Sequence, residues 1–100
     1  DEEDTHSFLW GAQTISVGGN LYLFGGEVKT NNQLRWNMDV WRYSIFDDTW
    51  SKVGSLPCPR RHHAAVKWED NVYLIGGFGR HRILQASVDC FSLRTCKFYS

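Results

Sequence analysis

Proline and methionine are scarce in this chain of 100 residues, with two of the first and one of the second. No apolar run approaches the roughly 20 residues of a membrane-spanning helix, which argues against a membrane role. No stretch sustains a 3.6-residue apolar period, so no helix is expected. The three cysteines, Cys58, Cys90 and Cys96, are odd in number and lack CxxC spacing. That favours reduced thiols in the cytoplasm over a disulfide framework. A pairing of Cys90 with Cys96 across the last hairpin keeps an extracellular setting open. Net charge is absent too: 11 basic residues balance 11 acidic ones, and the pI is near 7.1. Bulk-charge binding to nucleic acid is therefore not expected. His6, His62, His63 and His81 show no ligand spacing, and adjacent histidines on a strand point to opposite faces, so no metal is expected. Nucleophile elbow, phosphate loop and catalytic carboxylate pair are all missing, so neither an enzyme nor a cofactor is expected. Asp47 and Asp48 suit a tight turn, where Asp favours the backbone geometry.

What the chain does have is a repeat. Residues 20–26, Asn-Leu-Tyr-Leu-Phe-Gly-Gly, return at 71–77 as Asn-Val-Tyr-Leu-Ile-Gly-Gly, 51 positions later and identical at five of seven. A period of roughly 50 built on short β-rich segments is the pattern of propeller blades. Further on, residues 40–45 match 88–93 and Trp50 matches Phe98, both at an offset of 48, so the first copy carries three extra residues. Each copy offers four strands separated by turn-forming residues. They are expected at 12–17, 21–25, 39–45 and 49–53, then at 63–68, 72–76, 87–92 and 96–100. The fold class is all-β: two four-stranded antiparallel blades, one over residues 8–54 and one over 55–100, behind an acidic tail at 1–7. About 4–8 blades close a propeller ring. Two would belong to a longer protein, or would complete a ring by association.

Glycine and aromatic residues carry a family resemblance. Gly25-Gly26, Tyr43, Trp50, the pair Pro59-Arg60, Gly76-Gly77 and Phe91 together resemble the kelch repeat over about residues 8–100. The second copy has Phe91 and Phe98 where the family shows Tyr and Trp. Trp10-Gly11 opens the first copy where the second has Arg61-His62. These glycines and aromatics read as structural: glycine for unusual dihedrals and close approach at the strand exit, aromatics for packing between blades.

Function is expected on one rim. In an antiparallel blade, the loop after the second strand and the link to the next blade emerge together. Residues 27–38, 78–87 and 54–62 therefore gather Lys29, Arg35, Arg60, Arg61, His62, Arg80, His81 and Arg82, with Glu27 as the acid among them. Arg60 is assigned to the structural Pro-Arg element. Guanidinium groups on loops suit carboxylates and phosphates. The resemblance implies that this rim holds a peptide partner, with Glu27, Lys29, His62, Phe78 and Arg80 contributing. An acidic or phosphorylated segment is the expected ligand. The resemblance further implies a BTB–kelch adaptor that presents substrates to a cullin-based ubiquitin ligase through a domain outside this chain. Actin binding by a kelch scaffold is the alternative, and a propeller enzyme the third class.

Overall fold

A computed structural model describes residues 8–30 and 33–99. The expected acidic tail, His6 and Ser100 lie outside the described residues. Among the described residues, eleven strands make three sheets. The first blade joins β2 (Gln13–Val17), β3 (Asn20–Phe24), β6 (Asp39–Ser44) and β7 (Thr49–Ser55) in that order. The second joins β8 (Ala64–Trp68), β9 (Asn71–Ile75), β10 (Val88–Ser92) and β11 (Lys97–Tyr99) in the same antiparallel order. These eight strands fall within two residues of the expected positions. Register preserves the repeat: Ile15 faces Tyr22 in the first blade as Val66 faces Tyr73 in the second.

Two elements depart from the sequence reading. The segment expected as a plain loop at 27–38 is a hairpin of β4 (Glu27–Thr30) and β5 (Gln33–Trp36), and β1 (Phe8–Trp10) pairs with β4. This third sheet stands beside the blades. In the second copy the equivalent loop, without the three extra residues, folds into a single 3-10 turn at Arg80–Arg82. Cys90 and Cys96 do not face one another. Cys90 sits opposite Tyr99, while Cys96 occupies the β10–β11 turn with a φ of 58°, and all three cysteines are free.

The blades pack face to face. Tyr22, Phe24 and Val40 of the first meet Val72, Leu74 and Phe91 of the second, with Leu56 from the link between them. Phe91 lies edge-on to Phe24, with centroids 5.3 Å apart. Alternation along the strands explains which aromatics are buried. Trp50 and Tyr43 pack against each other at a tilt on the far face of the first blade, and Trp50 stays 55% exposed. On the far face of the second blade, Val66, Trp68, Ile75, Val88 and Tyr99 front solvent.

Both diglycines are required by geometry. Gly25 and Gly26 have φ of 74° and 90°, Gly76 and Gly77 of 70° and 86°, in the left-handed region that penalises a Cβ. A Cβ on Gly25 would stand 2.6 Å from the Arg60 carbonyl, and one on Gly77 would stand 2.6 Å from that of Arg61. The link between the blades thus runs against both pairs.

Arg60, assigned from sequence to the structural Pro-Arg element although it falls within the rim segments, is fully buried. Its Nη1 donates to the Gly76 carbonyl at 2.7 Å, Nη2 to Ser87 Oγ at 2.7 Å, and Nη2 also pairs with Asp89 at 3.1 Å. A fork of fixed donors meets three acceptors that a lysine could not reach together. Breaking a buried pair costs about 3–5 kcal/mol. Asp89 keeps some solvent contact, so Arg60→Lys is expected to lower stability by about 2–4 kcal/mol, read as a drop in the urea unfolding midpoint.

A rim cavity at the seam between the blades

The link from Arg60 to His63 is where the two blades are sewn together. The Gly26 amide donates to the Arg60 carbonyl at 2.6 Å, and Arg61 and Phe78 exchange backbone hydrogen bonds of 3.0 and 2.9 Å. The His62 amide donates to the Gly11 carbonyl at 2.7 Å, reached through a left-handed His62 with a φ of 54°. Adjacent residues of an extended link face opposite ways. Arg60 therefore enters the second blade, and Arg61 reaches into the open seam.

Arg61 is held on every side. Its Nε pairs with Glu27 at 3.0 Å, with both side chains only 12% exposed. Its Nη1 donates to His62 Nδ1 at 3.0 Å. The guanidinium carbon lies 4.8 Å from the Trp10 ring centroid and 5.4 Å from that of Phe78, within cation–π reach. Trp10 also meets the His62 ring edge-on at 5.3 Å.

Around this anchor opens a cavity of about 290 Å³, lined by Trp10, Glu27, Leu34, Trp36 and Arg61 and by the turn from Gly79 to Arg82. The third sheet supplies one wall. Trp10 is register partner of Glu27, and Glu27 of Trp36, so the three form one row on one face. The 3-10 turn supplies the other. His81 and Arg82 both have a φ of 59°, and hydrogen bonds from Gly79 N–H to Ile83 O and from Ile83 N–H to Arg80 O close the turn. Left-handed non-glycine residues store strain and concentrate at functional sites. Among the described residues neither Arg80 nor Arg82 has a carboxylate partner within salt-bridge distance.

The rim residues expected from sequence are thus placed as follows. Glu27, Arg61, Arg80, His81 and Arg82 line the cavity. His62 and Phe78 touch Arg61 from outside it. Lys29 lies two residues along β4 from Glu27, exposed. Arg35 pairs opposite Val28, so alternation puts it on the other face of the hairpin, away from the cavity. Trp10, Leu34 and Trp36 are cavity residues that the sequence reading did not include. Their one signal is a break in the repeat: Trp10 stands where the second copy has Arg61, and the hairpin carrying Trp36 contains the three extra residues.

His63 lies behind the cavity, 3% exposed, with neither ring nitrogen hydrogen-bonded among the described residues. Its ring fills the space beside Gly25, where a Cβ would come within 2.7 Å of Cε1. Burial, and then the neighbouring Arg60 charge, push its pKa down to about 4. Burial likewise raises the Cys58 thiol, against the opposing pull of Arg60, which argues against a thiolate nucleophile there. Among the described residues no group of three or more His, Cys, Asp or Glu could hold a metal ion. Among the described residues no helix is long and apolar enough to cross a membrane.

Comparison with known proteins adds the following. A family model described as the kelch motif matches residues 11–57. The kelch repeat and BTB domain-containing protein 12 of Danio rerio is 37% identical over 62 residues, covering 62% of this chain and 10% of that protein. The N-acetylneuraminate epimerase of Salmonella arizonae is 38% identical over 89 residues, covering 81% of this chain and 23% of that protein. The chain therefore spans a tenth to a quarter of the length of these curated relatives. The solved structure of YjhT superposes with a TM-score of 0.78 at 17% identity, over 89% of this chain and 36% of that one, a likeness of fold.

A pH dependence follows from His63. The unfolded chain takes up the imidazole proton near 6.5, whereas the folded chain resists it until about 4. Between those values the unfolded state binds more protons, so stability rises with pH. His63 is expected to cost nothing above about pH 7. As pH falls through 6.5 the cost grows, levelling near pH 4 at about 3 kcal/mol. Urea unfolding midpoints from pH 4 to 7 check this: His63→Leu, which cannot be protonated, should lack that part of the slope.

Proposed function

The chain is a kelch-repeat chain of two propeller blades, and from that premise we propose that it is a protein-interaction module whose seam cavity grips an anionic segment of a partner. The observation that carries this reading is the cavity itself. Arg61 is immobilised in it, and Arg80 and Arg82 approach it with no carboxylate partner among the described residues. Guanidiniums fixed in advance bind carboxylate or phosphate oxygens without first giving up side-chain freedom. Similarity to a kelch repeat and BTB domain-containing protein supports a place in an adaptor that presents such partners to a cullin-based ubiquitin ligase. An actin-binding scaffold is the competing use of the same blades.

A second reading has its own support. The similarity to N-acetylneuraminate epimerase covers 81% of the chain, more than the 62% covered by the BTB-containing relative. A carboxylated sugar would suit an Arg-rich cavity with indole walls. Under this reading the blades contribute binding residues to a propeller enzyme.

Reversing charge at both Arg80 and Arg82 should separate these readings. Affinity capture on the full-length parent protein should lose one partner at least tenfold in the variant, while circular dichroism and cullin recovery stay unchanged. Capture of actin with the partner set intact would move the reading to the scaffold. Weakened binding of N-acetylneuraminate, with protein partners unaffected, would favour the enzyme.

A further inference from the structure

The cavity has two unlike walls, and their combination narrows its ligand. We propose, resting on the anionic-segment reading above, that it takes an aromatic side chain carrying a phosphate: a phosphotyrosine of the partner.

The charge count comes first. Glu27 already neutralises Arg61 at 3.0 Å, and the pair is largely buried. What remains for a ligand is Arg80 and Arg82, two guanidiniums on a single turn. Two cations match a phosphate, which carries about −1.5 to −2 charge near neutral pH. A single carboxylate would leave one of them unanswered. Arg61 adds direction: its Nε and Nη1 are engaged, and Nη2 has no partner among the described residues.

The opposite wall asks for something apolar. Trp10 is 48% exposed and Leu34 58% exposed, and both line the same cavity as the cationic turn. Trp36 completes the row through Glu27. A run of acidic side chains or a phosphoserine would leave this indole and aliphatic surface wet. An aromatic ring would cover it, with offset stacking or edge contacts adding to the area buried. At about 290 Å³ the cavity lies near the lower end of ligand sites, sized for one side chain.

The cationic turn is built to stay put. The Gly79–Ile83 and Ile83–Arg80 hydrogen bonds brace two consecutive left-handed residues, and Gly79 packs directly against the Gln85 side chain. Two arginines carried on a braced turn across from an aromatic wall discriminate by distance: the anion must sit about one ring away from the peptide backbone.

Fluorescence polarisation tests this on the protein with a fluorescein-labelled, glycine-flanked phosphotyrosine peptide. The same peptide with phosphoserine or with unmodified tyrosine serves for comparison. Phosphotyrosine should bind at least tenfold more tightly than either, and phenyl phosphate should compete at least tenfold better than inorganic phosphate. Trp10→Ala should remove most of the preference over phosphoserine, and so should Leu34→Ser, a substitution at an exposed position that leaves the Arg61 contacts in place. R80E/R82E should abolish binding of both phosphopeptides. Equal binding of phosphotyrosine and phosphoserine would overturn the proposal and leave the anionic rim standing. Binding that R80E/R82E does not weaken, or no binding of either phosphopeptide, would also overturn it. If that variant also keeps every captured partner, the rim reading falls as well. Displacement by N-acetylneuraminate but not by phenyl phosphate would overturn it in favour of the sugar acid.

Discussion

A single buried guanidinium holds the two halves of this molecule in place. Arg60 has no exposed surface, and an uncompensated charge in such a place would be prohibitive. It is compensated from the second blade alone, by Gly76 O, Ser87 Oγ and Asp89. The same residue's carbonyl receives the Gly26 amide of the first blade. Side chain and backbone of one residue therefore fix opposite partners. The link cannot shift without stranding either a buried charge or a buried amide. Everything at the seam inherits this constraint: the Phe24–Phe91 contact, the wedged His63, and Arg61, which is aimed outward because its neighbour is aimed inward.

The glycine pairs are the other side of that constraint. A link pressed so close to two strand ends needs backbone there without side chains, and both pairs adopt dihedrals that L side chains avoid. This is why the repeat was so legible. Gly25-Gly26 and Gly76-Gly77 are dictated by local geometry, so they recur, and with them the strand positions around them. The eight blade strands could be placed from residue pattern because each is short, half-buried and bounded by turn formers.

What was not legible depends on register between distant segments. Nothing local marks residues 8–10, 27–30 and 33–36 as one sheet, since their pairing brings Trp10 beside Glu27 across 17 positions. The structural role of Arg60 was legible from the Pro-Arg pair, but its partners were not, because they are Ser87 and Asp89, contributed from the start of β10 and just before it. The alternation that hides Arg35 from the cavity likewise requires knowing that the segment is a strand at all. Even so, the sequence did carry a trace of the site, in the places where the two copies differ. Trp10 replaces the equivalent of Arg61, and the two then meet face to face in the structure, 4.8 Å apart. Three added residues turn a loop into a hairpin and raise Trp36 into the wall. Repetition reports the scaffold, and its interruptions report what is mounted on it.

That division bears on how binding and folding are linked. The cavity belongs to neither blade: Trp10 and Glu27 come with the first, Arg80 and Arg82 with the second, and Arg61 with the link between. Its shape is set by the relative placement of the blades, which the Phe24–Phe91 core and the Arg60 anchor determine. A ligand that bridges both walls must therefore favour the packed arrangement, stabilising the seam by an amount that grows with the logarithm of its concentration over its Kd. The same logic extends to the far face of the second blade. Val66, Ile75 and Val88 there are the repeat equivalents of Ile15, Phe24 and Val40, which the second blade itself covers in the first. A further repeat packed on that face would bury the same apolar pattern again. It would also hold the second blade from behind, making the cavity's cationic wall stiffer than the pair of blades can make it alone. Rigidity at the proposed binding rim would in this design be a property of blade-to-blade packing, transmitted through residues outside the cavity.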